Sequence, residues 1–123
     1  MTFAFWCVLI AALLPYVPFG LAARFLDPKT PRPSVPNLTG LPARAYGAHL
    51  NALEAFAPFA AGVIIAHIVQ GPSATVNWLA ALFIVARLAH LAFYLTDRQP
   101  PRTAAFLTGL VITIVIFAQA AFH

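Results

Sequence analysis

Four apolar runs, at about 3–23, 41–69, 74–95 and 103–122, alternate with three polar stretches along this chain. Each run has the roughly 20 residues that a helix needs to cross a bilayer. The pattern predicts an all-α fold, an integral membrane four-helix bundle forming a single domain over residues 1–123. Pro15 and Pro18 fall in the second half of the first run. They predict a kink there, with freed backbone carbonyls that neighbouring groups must satisfy. Pro58 interrupts the second run in the same way. A patch at Ala60, Ala61 and Gly62 beyond it permits close helix packing.

Two of the runs carry polar stripes. At 100° per residue, Arg44, Asn51 and Glu54 fall within about a quarter-turn of one another, with Gly47 and Ala48 leaving room between them. Arg87, His90 and Tyr94 lie within about 60° of one another on the third helix, and Arg98 continues their line. Ionisable residues inside membrane helices are costly, which makes them functional candidates by default. His49 points about 140° away from Glu54. It reads as a structural hydrogen bond or helix contact. His67, near the far end of the second helix, reads as interfacial.

The connections differ sharply. Residues 25–42 hold the segment from Asp27 to Gly40 and five prolines, which excludes regular helix and predicts an extended connection. A loop this long is a candidate cover for the mouth of a site. Pro42 suits the first turn of the second helix, with Thr39 or Gly40 as its cap. Residues 70–73 make a short uncharged turn, and residues 96–102 a tight polar one. Lys and Arg gather in and around the first and third connections. By the positive-inside rule, 25–42 and 96–102 face the cytoplasm and both termini face outward. Both polar stripes then lie at the cytoplasmic level.

Composition sharpens this. The 123 residues are 62% hydrophobic and 8% charged, against about 25% charged in a soluble domain. The net charge of +4 comes from cations spread between apolar runs. It marks topology, not a nucleic-acid interface. Cys7 is the only cysteine, which excludes an internal disulfide and a Cys-rich metal centre. The four histidines have no ligand spacing, so no metal is expected. No basic segment precedes the first run, which argues for a retained helix over a cleaved signal peptide.

From the residues alone, the stripes complement a small zwitterion: arginines for carboxylates, Glu54 for an ammonium and Asn51 for an amide. Equally, Glu54 pairs with Arg44 or Arg87 to neutralise charge between helices. The order Arg44-x3-Ala48-His49-x-Asn51-x2-Glu54, followed by Pro58, resembles the signature helix of the MAPEG family, the membrane-associated proteins of eicosanoid and glutathione metabolism. Arg87-x2-His90-x3-Tyr94, then Arg102-Thr103 after a short basic turn, is similar in the second half. The Asp27-to-Arg32 segment resembles the small bacterial branch.

The resemblance implies a homotrimer in a bacterial inner membrane, with glutathione as co-substrate between subunits near the cytoplasmic face. It implies a glutathione-dependent transferase or peroxidase acting on a hydrophobic small molecule. Arg102 and Tyr94 are the implied catalytic pair. Asn51, Glu54, His90 and Thr103 are the implied binding set, and the stripes add Arg44, Arg87 and Arg98 to it. A cation near the thiol favours the thiolate. Gly47 and Leu50 stand where glutathione-using animal members often carry arginines. That departure sustains a second reading, a non-catalytic lipid- or partner-binding member of the fold. A four-helix multidrug transporter ranks low, because the first helix has no acidic residue.

Overall fold

The computed structural model describes residues 1–123 and is entirely helical. The first span is two helices, α1 (Phe3–Leu13) and α2 (Tyr16–Ala23), separated at Leu14 and Pro15. The prolines deliver the predicted break. The carbonyl of Pro15 accepts a 2.8 Å hydrogen bond from His49 Nδ1 of the next span.

The 25–42 connection is more ordered than its prolines predict. A single helical turn, α3 (Pro31–Ser34), and a 3-10 turn at Val35–Asn37 occupy its middle. These turns correct the expectation, from the proline count, that the connection holds no regular helix. Proline is tolerated in a first turn, where an N–H has no intrahelical partner anyway. Side chains complete the loop. The Asp27 N–H donates to Ser34 Oγ (3.0 Å), Asp27 Oδ1 accepts from Lys29 N–H (2.9 Å), and Oδ2 accepts from the Thr30 hydroxyl (3.1 Å).

The second span, α4 (Gly40–Gln70), has 31 residues. At 1.5 Å per residue it is about 46 Å long, against a hydrocarbon core of about 30 Å. Its surplus length lies at the polar end. Thr39 precedes it without a side-chain cap bond, and Gly40 takes the positive φ of +61° that starts the helix. Pro58 lies inside α4 and leaves the Glu54 carbonyl without its helical donor.

The third span, α5 (Ala74–Leu95), begins with Ser73 capping the Val76 N–H. It ends with paired bonds: Arg98 N–H to Phe93 O (2.8 Å) and Asp97 N–H to Tyr94 O (3.2 Å), with Asp97 at φ +59°. This is a Schellman end with Asp in the left-handed position. The reversal is so compact that the last span, α6 (Gln99–Ala121), starts at Gln99 rather than Thr103. Pro100 and Pro101 occupy its first turn, where their missing N–H groups cost no hydrogen bond. Arg102 therefore rides on a helix, not on the turn expected for 96–102.

All four spans are apolar enough to cross a membrane. The α4 helix packs against α1, α2, α5 and α6. At mid-bundle the Phe59 and Phe83 rings stack with centroids 3.8 Å apart, among buried Ala4, Cys7, Val63 and Ile116. A Cβ at Gly62 would meet the Phe117 ring at 3.0 Å, so this small residue does allow a close helix crossing.

Candidate functional site

The two polar stripes meet. The helices α4 and α5 run antiparallel, and three contacts descend between them. Arg44 Nε donates to the Leu95 carbonyl (3.2 Å). One layer below, Gly47 faces Tyr94, whose Cζ lies 3.0 Å from where a Gly47 Cβ would be. Two turns from the top, Arg87 Nη2 donates to Asn51 Oδ1 (2.7 Å). Arg87 is 3% exposed and His90 equally buried. The same Nη2 lies 3.4 Å from His90 Nδ1. A guanidinium only donates, so Nδ1 is the acceptor. The neutral ring then carries its proton on Nε2.

The helix α6 closes the site. The Arg102 guanidinium lies over the Tyr94 ring, 4.6 Å from its centroid, an attraction of the cation for the ring face. The Tyr94 ring is thus held between the Gly47 backbone and Arg102. Asn51, His90, Tyr94, Arg102, Thr103 and Phe106 line one cavity of about 260 Å³. Every polar residue in that wall can donate a hydrogen bond, and none is a carboxylate. A second cavity of about 160 Å³ shares Phe106 and is lined by Glu54, Pro58, Arg87, Gly109 and Thr113 among others. Gly109 gives it depth, since a Cβ there would stand 3.7 Å from the Phe83 ring and 3.8 Å from Arg87 Cδ.

Of the nine residues singled out from sequence, Asn51, His90, Tyr94, Arg102 and Thr103 line the first cavity, and Glu54 and Arg87 the second. Arg44 and Arg98 line neither. Arg44 is spent on the end of α5, and Arg98 is exposed in the turn. The Glu54 ion pair expected as an alternative gives way to other partners, the Leu95 carbonyl for Arg44 and Asn51 for Arg87. Glu54 itself is exposed on the flank of α4. Sequence reasoning missed Phe106 and Gly109, because in an apolar helix nothing marks an aromatic wall or a glycine gap. It also gave Gly47 no partner, although the tight contact with Tyr94 decides where that ring sits.

His49 makes the structural bond to Pro15 described above and lies outside both cavities. His67 ties the opposite end together, through Thr2 Oγ1 and the Val63 carbonyl (2.8 Å each). No group of His, Cys, Asp or Glu side chains could hold a metal ion.

Comparison with curated proteins and with solved structures gives no match. The family model described as the MAPEG family matches residues 3–122, and with two antiparallel polar stripes meeting inside four membrane-capable helices, this chain belongs to the MAPEG family.

Proposed function

We propose that the paired cavities bind glutathione and that the protein is a glutathione-dependent transferase or peroxidase acting on lipophilic electrophiles. One observation carries this reading: an open cavity at the polar end of the bundle, walled by the donors Asn51, His90, Tyr94, Arg102 and Thr103, with no carboxylate among them. Such a wall repels cations and suits carboxylates and a thiolate. The adjoining cavity supplies what the first lacks. There Glu54 faces an ammonium, and Arg87 adds a cation.

Glutathione brings the nucleophilic thiol. A free thiol has a pKa of about 8.5, and the protein's task is to favour its charged form. Arg102 provides the positive charge, and Tyr94 and Thr103 provide hydroxyl donors. Stacking on Tyr94 restrains the Arg102 side chain before any ligand arrives. Phe106 and the surrounding apolar helices exclude water and admit the hydrophobic partner directly from the bilayer. The thiolate sulfur forms the new bond to the electrophilic carbon, whose leaving group departs with its electron pair.

Assembly into a homotrimer belongs to the same proposal. Glu54 is exposed on the flank of α4 beside exposed Leu50 and Leu53. A bare carboxylate at that level of a bilayer is costly, and a neighbouring copy that covers it removes the cost. Residence in a bacterial inner membrane, with residues 25–42 and 96–102 cytoplasmic and both termini outside, completes the reading. It rests on the positive-inside pattern.

A non-catalytic lipid- or partner-binding role is favoured by one detail. Tyr94 fills the space over Gly47, and Leu50 is 44% exposed, so neither α4 position offers a cation to a carboxylate. Titrating detergent-purified protein with glutathione, by calorimetry and by thiolate ultraviolet absorbance, separates the readings. Saturable binding with a thiolate band is expected. Binding without that band leaves a pocket that does not activate the thiol. No binding at millimolar glutathione overturns the proposal in favour of the non-catalytic role.

A further inference from the structure

A third cavity lies at the same end of the bundle but on the other side of α4. It measures about 340 Å³ and sits between the kinked first span, the start of α4 and the 27–37 loop. That is room for on the order of ten water molecules. Tyr16, Phe19, Leu26, Arg32, Tyr46 and His49 form its walls. None of these residues lines either of the cavities described above.

Its floor is built around His49, which is 8% exposed. Nδ1 lies 2.8 Å from the Pro15 carbonyl oxygen. A carbonyl only accepts, so Nδ1 carries the proton and Nε2 of the neutral ring is an acceptor. The rings of Phe19, Tyr46 and Tyr16 surround the imidazole, with centroids at 4.9, 5.7 and 6.2 Å. They hold its plane, yet Nε2 has no hydrogen-bond partner in the protein and is not sealed from the cavity. Above it, the loop brings Arg32, an exposed cation, to the rim. The loop is locked over the cavity by the Asp27, Thr30 and Ser34 bonds.

The cavity thus presents an anion site at its mouth, a hydrogen-bond acceptor at its floor and apolar walls between. No carboxylate lines it. Its depth in the bilayer follows from the chain: α2 ends at Ala23, and the charged residues begin at Arg24. The mouth is therefore level with lipid head groups. We infer that this cavity is a phospholipid site that selects a head group carrying a hydroxyl or ammonium donor beside its phosphate, of the phosphatidylglycerol type. The phosphate sits at Arg32, the head-group donor reaches His49 Nε2, and the acyl chains pass exposed Tyr16 and Leu53 into the bilayer. Phosphatidylcholine has the phosphate but no N–H or O–H to donate, so the site rejects it. This inference is independent of glutathione use.

Native mass spectrometry of the delipidated, detergent-solubilised protein tests it, with dioleoyl phosphatidylglycerol and dioleoyl phosphatidylcholine offered in equal amounts. Retention of phosphatidylglycerol about tenfold above phosphatidylcholine is expected, the scale of one hydrogen bond between uncharged groups. Arg32→Gln, on the exposed loop, lowers that retention about tenfold. His49→Phe keeps the ring and abolishes the preference between the two lipids. Leu53→Trp fills the mouth and reduces retention of both, which keeps the test decisive where loss of the Pro15 bond unfolds the His49 variant. Equal retention of the two lipids by the wild type overturns the inference, as does unchanged retention of phosphatidylglycerol in both Arg32→Gln and Leu53→Trp. Excess inorganic phosphate leaves the lipid bound; displacement by phosphate alone overturns the assignment to a lipid.

Discussion

Arg87 and Asn51 meet at 2.7 Å across the α4–α5 interface, with the arginine 3% exposed. The pair joins an uncharged amide to a guanidinium, so the positive charge of Arg87 is held in place without being neutralised. A bundle interior that keeps such a charge is poised for an anion. The same amide oxygen that steadies Arg87 leaves the Asn51 N–H2 to the neighbouring cavity.

Replacing Asn51 by Leu strands the Arg87 donor in the bundle. The expected cost is about 1–3 kcal/mol, read as a lower thermal unfolding midpoint in detergent. Asn51→Asp restores most of that stability by pairing the charge, and weakens glutathione binding because the cation is then satisfied internally. Equal stability of Asn51→Leu and the wild type would exclude the Asn51–Arg87 bond as a structural support.

Gly47 and Tyr94 form one unit. A methyl group at Gly47 collides with the Tyr94 hydroxyl end, so Gly47→Ala drives the ring off its seat beneath Arg102. The expected loss is about 1–3 kcal/mol, the range for overpacking. In a Tyr94→Ala background the same methyl has space, and the penalty shrinks by more than about half. A double-mutant cycle checks this. Additive losses would show that the contact relaxes without strain.

Arg102 is expected to act on charge more than on folding. Arg102→Ala removes a cation–π contact worth about 0.5–1 kcal/mol at a partly exposed site, a small shift in melting. The thiolate absorbance of bound glutathione should disappear, and turnover should fall about 10²-fold, the scale for losing one preorganised donor at a developing charge. Arg102→Lys recovers part of the absorbance. Full turnover in Arg102→Ala would remove this residue from the mechanism.

The loop carries a pH dependence of its own. The Lys29 backbone N–H, and then the Thr30 hydroxyl, hold the Asp27 carboxyl below the usual carboxylate range. A carboxylate whose pKa is lowered by ordering stabilises the ordered loop above its free value, about 3.9. That contribution is lost as the pH falls through the lower value of the ordered state. Loop order should therefore be flat through neutral pH and weaken under acid conditions, read as faster amide exchange at Lys29. Asp27→Asn should show the weakened loop already at neutral pH and lose the acid step.

Much of this protein is written in one dimension. A helix satisfies its own backbone, so four apolar runs interrupted by polar stretches determine four membrane-capable helices without reference to any partner. Helical periodicity likewise places Asn51 with Glu54, and Arg87 with His90 and Tyr94, before any helix is packed. Pro15 announces the break in the first span by removing a donor.

Contacts between elements were not legible in the same way. That Arg87 chooses Asn51 over Glu54, that Arg44 ends on the Leu95 carbonyl, and that Tyr94 lies against Gly47 depend on the depth and rotation at which α4 and α5 cross. The close packing of many small side chains sets that crossing, and no single residue encodes it. The start of α6 at Gln99 was hidden for a related reason. Two prolines read as helix breakers until the Schellman end of α5 places them in a first turn, where a missing N–H costs nothing. His49 shows the division most plainly. The sequence predicts a structural hydrogen bond or a helix contact for it, but only the folded kink supplies the Pro15 carbonyl, and with it an imidazole that lines a cavity.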